Sequence, residues 1–435
     1  MGVNLLSGHT RRLAVPYLVI AVCAALVGGL VAGAFWPAGS LLDTPGYGYA
    51  AALLLGIGLY GSTHDIEPAE VSRSLRVVLV AVTAGVLLKA ALIASVMVLA
   101  FRRPEYLVLG IAVAQIDPLS VAAMQDDPRV TPRAKAILSI WASFDDPMTV
   151  LLTVYFSALA LRLGDLGPAT GSLVSDSAGV FGGLLSNIAL FTAALALWWL
   201  IRLAYLLRSR AAGGTPRRPA APSAGPDRAR PAHDRPLFLD VAALVLVVAL
   251  LAVAARTTLV LAVALAGLAV RLGRFAGVLR GAVAVAFLLA SAALGVLLSG
   301  GVSLCQGVVL GVTAFAAQFL VTLLIGRLLV RPALTRADRA HLGLGQQNGI
   351  TAILLALSLE PAFPGTVGVV GPAIVTVNLL HYGFRLARAD ARRWAAAGSR
   401  GHPRSAGPAR PLPPPEHRPH GIRRRVKDRS RIRAG

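Results

Sequence analysis

The chain has 435 residues, of which 56% are hydrophobic and only 14% charged, with a mean hydropathy of +0.70. Water-soluble proteins typically carry about 25% charged residues, so this composition excludes an ordinary soluble domain and points to lipid. The formal charge of +22 does not indicate nucleic acid, because the arginines sit in short loops and tails rather than on an amphipathic soluble surface.

Apolar runs of roughly 20 residues recur, each long enough to cross a ~30 Å hydrocarbon core as a helix. The spans are predicted near 14–36, 46–61, 75–101, 106–127, 134–160 and 178–206, then near 237–255, 257–272, 278–299, 303–330, 341–359 and 365–387. The fold class is therefore an all-α polytopic membrane protein of about twelve transmembrane helices. The first run, from Val15 to Trp36, is too long for a cleavable signal peptide and lacks a small-residue cleavage site before polar sequence. Residues 1–207 form a first six-helix half. Residues 208–236, rich in Pro, Gly and Arg, read as a flexible basic loop. Residues 237–390 form the second six-helix half, and 391–435 a basic tail too polar to fold. Two halves around one loop suggest internal duplication, although the halves share no obvious identity.

Lysine and arginine counts orient the chain. One side receives Arg11, Arg12, Arg73, Arg76, Arg129, Arg133, Lys135, the central loop, Arg271, Arg274, Arg280, Arg331, Arg336, Arg339 and the tail. The other receives little beyond Arg102, Arg103 and Arg256, so both termini are expected to be cytoplasmic. The tail is expected either to bind anionic lipid headgroups or simply to be an unstructured basic extension. Cys23 and Cys305 fall inside apolar runs, so neither a disulfide nor a metal site is expected. No nucleotide loop or nucleophile constellation is visible, and neither a cofactor nor an enzymatic activity is expected.

An ionisable residue near the bilayer centre costs about 2.5–3.5 kcal/mol even on a lenient scale. Asp117 lies about eleven residues into the fourth span, near mid-membrane at ~1.5 Å per residue. Pro118 disfavours the α conformation at Asp117 and frees the Ala114 carbonyl, predicting a broken helix whose open carbonyls can hold a cation. A proline kink with Asp117 as a structural cap is the alternative.

Asp145 and Asp146 lie at similar depth in the fifth span. Ser139, Ser143, Asp146, Thr149 and Thr153 recur at helical spacing along one face, and Pro147 weakens the bond to the Ser143 carbonyl. Such a stripe suits a cation path, or else interhelical hydrogen bonds. Asp145 is turned by about 100° and is free to serve a different partner. Adjacent buried carboxylates exchange protons as a coupled pair, and a cation bound at Asp146 expels them.

Gly345-Gln346-Gln347-Asn348-Gly349 interrupts the eleventh run and predicts a second unwound stretch, its amides satisfying open backbone. Gln318 is a lone amide in the tenth span, and Lys89, either buried or snorkelling on its long stem, has no assigned role.

From about Leu54 to Phe156 the sequence resembles the monovalent cation/proton antiporter superfamily, the sodium/proton exchangers. Gly56-Ile57-Gly58-Leu59 is similar to the segment where that family re-enters the membrane, and Gly85-Val86-Leu87-Leu88 lies within the long third span. Ala114-Gln115-Ile116-Asp117-Pro118 resembles its T-D-P signature, and Val130-Thr131-Pro132-Arg133 the basic loop that follows. Ser143-Phe144-Asp145-Asp146 falls where the family has N-D or D-D, and Gly345 to Leu357 resembles a later broken helix.

The resemblance implies an inverted-repeat fold with two broken crossing helices, a mobile core domain and a dimerisation domain, hence a homodimer. It implies that Asp146 is the essential cation and proton carboxylate. Asp145 occupies the position that is Asn in electroneutral members and Asp in electrogenic ones, and Asp117 stabilises the crossing. Asp145, with Asp146, is expected to bind the cation, and Asp117, Ser143 and Ser120 to complete the ion- and proton-binding set, with Pro118, Gln318, Gln346, Gln347, Asn348 and Gly349 supporting the broken helices.

Four departures stand out. Ile116 replaces the usual Thr, and Trp141-Ala142 stands where one branch has Glu-Ser. The basic partner of the fifth-span acid falls at Gln318, and a later Arg-Gly at Asn348-Gly349. Asp145 is therefore expected to lack a counter-charge and to be protonated at rest. The implied activity is exchange of Na+, or alternatively K+, for H+ across the cytoplasmic membrane by alternating access. A sodium-coupled organic-anion symporter and a non-transporting sensor or scaffold are the competing readings.

Overall fold

The computed structural model describes residues 6–64, 81–116, 121, 131–163, 179–211, 236–328, 335–346 and 348–400. Asp117, Pro118, Ser120 and Gln347 lie outside them, as do the central basic loop and the tail beyond Arg400. By its contacts the chain divides into two units, Met1–Arg385 and Leu386–Gly435, and the described residues of the second are helical.

All regular structure among the described residues is helical, as residues in hydrocarbon require when every backbone group must find an internal partner. In chain order the helices are α1 (Leu6–Phe35), α2 (Ala38–Leu42), α3 (Tyr47–His64), α4 (Val86–Phe101), α5 (Tyr106–Ala112), α6 (Pro132–Leu163) and α7 (Gly179–Ala211). They continue as α8 (Leu237–Thr257), α9 (Val260–Ala269), α10 (Ala276–Leu298), α11 (Leu304–Leu328), α12 (Arg336–Gly343), α13 (Ile350–Leu359) and α14 (Thr366–Arg400). A π-helical turn, Ala81–Gly85, leads into α4.

Seven described helices are long and apolar enough to cross a membrane, and the molecule is a multi-pass membrane protein. Leu197, Trp199, Leu200 and Leu203 on α7 and Val241, Val245 and Val248 on α8 are exposed, as side chains facing lipid must be. The run near 257–272 yields only α9, whose ten residues reach about 15 Å. Thr258 adopts a left-handed conformation and Val270 an extended one, which trims it at both ends.

Helix α3 packs against α6, α8, α9, α10 and α13, and α4 against α5 and α11. Small residues set the closest approaches. A Cβ at Gly110 would lie 2.6 Å from the Ala94 amide nitrogen, so only glycine lets α5 rest directly on the α4 backbone. Likewise α1 lies against α10 where a Cβ on Gly29 would strike the Ala292 carbonyl.

The turn between α13 and α14, outside the spanning helices, is organised by Glu360. Its two carboxylate oxygens accept the N–H groups of Gly365 (2.7 Å) and Val367 (2.6 Å), donors at the start of α14. Burial pushes the Glu360 carboxyl above the usual carboxylate range, and the two amide bonds pull it partway back. A folded value above the unfolded one means the folded chain holds the proton more tightly. Its contribution is then greatest below the unfolded value and is lost as pH rises through the folded one. As pH rises above about 4, the unfolded value of a glutamate, wild type should lose thermal stability in detergent relative to Glu360→Gln. Parallel curves would contradict this.

Candidate ion site at the crossing of two unwound segments

Helix α5 stops at Ala112, and Val113–Ile116 leave the helical path, with the Ala114 N–H turning back to the Ile111 carbonyl (3.0 Å). The break thus opens before the Asp117-Pro118 pair, further upstream than the proline alone dictates. The reason lies in the partner segment. Helix α12 ends at Gly343, Leu344–Gln346, Asn348 and Gly349 are unwound, and α13 begins at Ile350. The Gln346 amide nitrogen lies 3.0 Å from the Val113 carbonyl and 2.9 Å from that of Gln115. It also lies 2.8 Å from Asn348 Oδ1, and its two hydrogens serve two of these three acceptors at once. Asn348 Nδ2 donates to Val113 as well (3.3 Å). Each unwound segment therefore satisfies the other. Gln346 Oε1 is buried with no hydrogen-bond partner among the described residues.

Helix α14 secures the second segment: Asn378 donates to the Asn348 carbonyl (3.1 Å), and the His381 ring nitrogen Nδ1 meets the Leu344 carbonyl. Gln115 lies in the first segment, its Nε2 donating to Ala112 (3.3 Å) and its Oε1 3.1 Å from the Thr149 hydroxyl.

Helix α6 passes this crossing with Asp145 and Asp146, both fully buried, and remains helical through Pro147. The roughly 100° between consecutive helical residues sends the two carboxylates to different segments. Asp145 Oδ2 accepts the Ile116 backbone N–H of the first (3.0 Å). Asp146 Oδ2 accepts the Thr351 hydroxyl at the start of α13, just beyond the second (3.0 Å). The positive end of α13 also favours a carboxylate there. Along the predicted stripe, Thr149 and Thr153 are buried and bond the carbonyls of Asp146 (2.8 Å) and Thr149 (2.7 Å). Ser143 lies in α6, its side chain outside the described residues.

The expectation that Asp145 lacks a counter-charge is overturned. Lys89 of α4, fully buried, places its ammonium 3.1 Å from Asp145 Oδ2 and 3.0 Å from Gln318 Oε1. Gln318 orients it: its Nε2 faces Thr322 Oγ1 and the Leu342 carbonyl, both at 3.3 Å, which turns the amide oxygen toward the lysine. Lys89 also lies 5.9 Å from the centroid of the Trp141 ring. The positive charge sought on the tenth span is thus delivered from the third, and the tenth contributes the amide that holds it.

The site brings together Asp145, Asp146, Gln318, Gln346 and Asn348 from the predicted set. Gly349 stands at the N-cap of α13 with φ −132° and ψ −137°. Reading the sequence left Lys89 unassigned and passed over Thr351, Gln115, Asn378 and His381. The last two are polar residues three apart in an apolar run, a signal that was available.

The fold has neighbours among solved structures. The fold matches the sodium proton antiporter MjNhaP1 from Methanocaldococcus jannaschii at pH 8, with a TM-score of 0.57 and 17% identity over 85% of this chain and 98% of that one. An electron-microscopy structure of the same antiporter matches with a TM-score of 0.50 and 15% identity, covering 92% and 99% of the two chains. No family model matches the sequence, and no curated protein does. The chain has the fold of these antiporters.

Proposed function

We propose that the chain is a secondary transporter exchanging a monovalent cation, Na+ foremost with K+ as the close second, for protons. The observation that carries this is Asp146, a fully buried carboxylate bonded to Thr351 at the mouth of an unwound segment. Hard monovalent cations prefer oxygen ligands. Asp146, Thr351 Oγ1 and backbone carbonyls of the unwound segments offer a set able to replace water. A proton on Asp146 removes the charge that holds the cation, so the two compete and their fluxes couple without simultaneous binding. Asp117, Ser120 and Ser143 belong to this reading as further oxygen ligands or supports.

The neighbours in fold are sodium proton antiporters, which favours this reading over a symporter or a scaffold. Both carboxylates are sealed from either surface, so exchange requires the crossing to move between two open states, as alternating access demands. The arginine asymmetry supports cytoplasmic termini in the cytoplasmic membrane, and the sequence resemblance implies a homodimer.

The test is ion-driven proton movement in proteoliposomes read by a pH dye. An imposed sodium gradient should drive protons the opposite way, lithium and potassium to differing extents, and choline not at all. Equal traces for choline and the alkali cations would overturn the reading.

A further inference from the structure

The start of α3, the end of α13 and the turn after α8 meet at the end of the molecule away from the arginine-rich loops. Building on the exchange proposed above, we infer that the seam between α3 and α13 is the outer gate for the cation, latched by the Tyr47 hydroxyl on the Leu357 carbonyl.

The latch begins with a proline. Leu357 lies in the last turn of α13, where the helical donor to its carbonyl would be the N–H of residue 361. That residue is Pro361, which has none. Tyr47, the first residue of α3, supplies the missing donor from another helix, its hydroxyl lying 2.9 Å from the carbonyl. A single half-buried bond of this kind is weak enough to break and re-form in each cycle.

Beneath it lies a void of about 10 Å³, lined by Gly48, Ala51 and Ala52 of α3, by Thr258 and by Ser358 of α13. Small side chains and two hydroxyls there leave room for water and a cation once the seam parts. Thr351 and Ser358 are two helical turns apart, so they share one face of α13 about 10 Å apart. That face runs from the Thr351–Asp146 bond (3.0 Å) at its inner end to the void at its outer end. Between them stands Leu354, fully buried against α3, where a Cβ at Gly58 would come 2.9 Å from its Cδ1. Glycine at 58 lets Leu354 plug the seam, and the latch above holds the plug in place. Releasing Tyr47 lets α3 and α13 part and opens Asp146 to the outer side alone.

The test removes one oxygen. In a chain carrying Cys23→Ser and Cys305→Ser, Ser358→Cys puts a thiol in the void, and a membrane-impermeant maleimide reads its exposure in vesicles of either orientation. Adding Tyr47→Phe should speed labelling from the side opposite the arginine-rich loops about two- to tenfold, the range that one net hydrogen bond spans. Labelling from the arginine-rich side should not rise. An unchanged rate, or a rise from the arginine-rich side, would overturn the inference.

Sodium-driven proton flux in Tyr47→Phe with its native cysteines is the second readout, one that a merely frayed helix end would not move. A larger outward-open fraction lowers the half-saturating sodium concentration on the outer side by the same factor, and not on the inner side. Faster labelling with an unchanged outer half-saturation would show that the seam opens without carrying the cation, which overturns the gate and leaves exchange intact. Absence of sodium-driven flux from wild type would overturn the exchange reading and the gate with it.

Discussion

Replacing Lys89 with leucine should destabilise the folded protein by about 3–5 kcal/mol, the largest loss expected from any single substitution at the site. Asp145 would be left as a buried carboxylate without its counter-charge, and Gln318 would lose the donor its oxygen faces. The loss should fall well below that figure in Lys89→Leu with Asp145→Leu, because removing both charges avoids the uncompensated one. Thermal or denaturant unfolding in detergent measures both. A single-variant loss under about 1 kcal/mol would mean that the pair is solvated like a surface salt bridge, contrary to its complete burial.

The second large effect is expected at Gln346. Gln346→Leu removes the donor that meets the Val113 and Gln115 carbonyls, and each buried carbonyl left unsatisfied costs about 1–3 kcal/mol. Asn348 still reaches Val113, so the cost should come mainly from Gln115. Loosening the crossing moves Ile116 relative to Asp145 and α13 relative to Asp146, the two bonds that position the carboxylates. Ångström-scale misplacement of reacting groups costs about 100-fold in rate. Exchange should therefore fall far more than stability alone explains, read as flux per folded transporter. A folded variant with wild-type flux would show that the carboxylates do not depend on the crossing.

Much of this architecture is written locally. Charged residues inside apolar runs announce themselves, so Asp145 and Asp146 stand out from their depth alone. Glycines flanking three amides mark the second unwound segment in the same way. The upstream start of the first break is not local, since it is fixed by Gln346, more than 230 residues away. Lys89 shows the same limit more sharply. Helical periodicity gives its depth in the third span but not which neighbour it faces, and its partner lies 56 residues on. The long stem that permits snorkelling to an interface also permits the inward reach found here. Gln318 was visible as a lone amide, but its role depends on the helix packed against it. The ten-residue length of α9 was hidden because neither Thr258, which turns left-handed, nor Val270, which is extended, is a residue type that ends a helix by itself.

The central claim is that Asp146 carries the cation and the proton in turn. Asp146→Asn keeps the shape of the side chain and removes the charge. Losing a buried charged partner costs about 2–5 kcal/mol, or roughly 30-fold to several thousand-fold in affinity. The decisive measurement is sodium-driven proton flux in proteoliposomes containing equal amounts of folded wild type and Asp146→Asn. The variant should give no flux above protein-free vesicles at sodium concentrations that saturate wild type. Equal flux from the two would contradict the assignment.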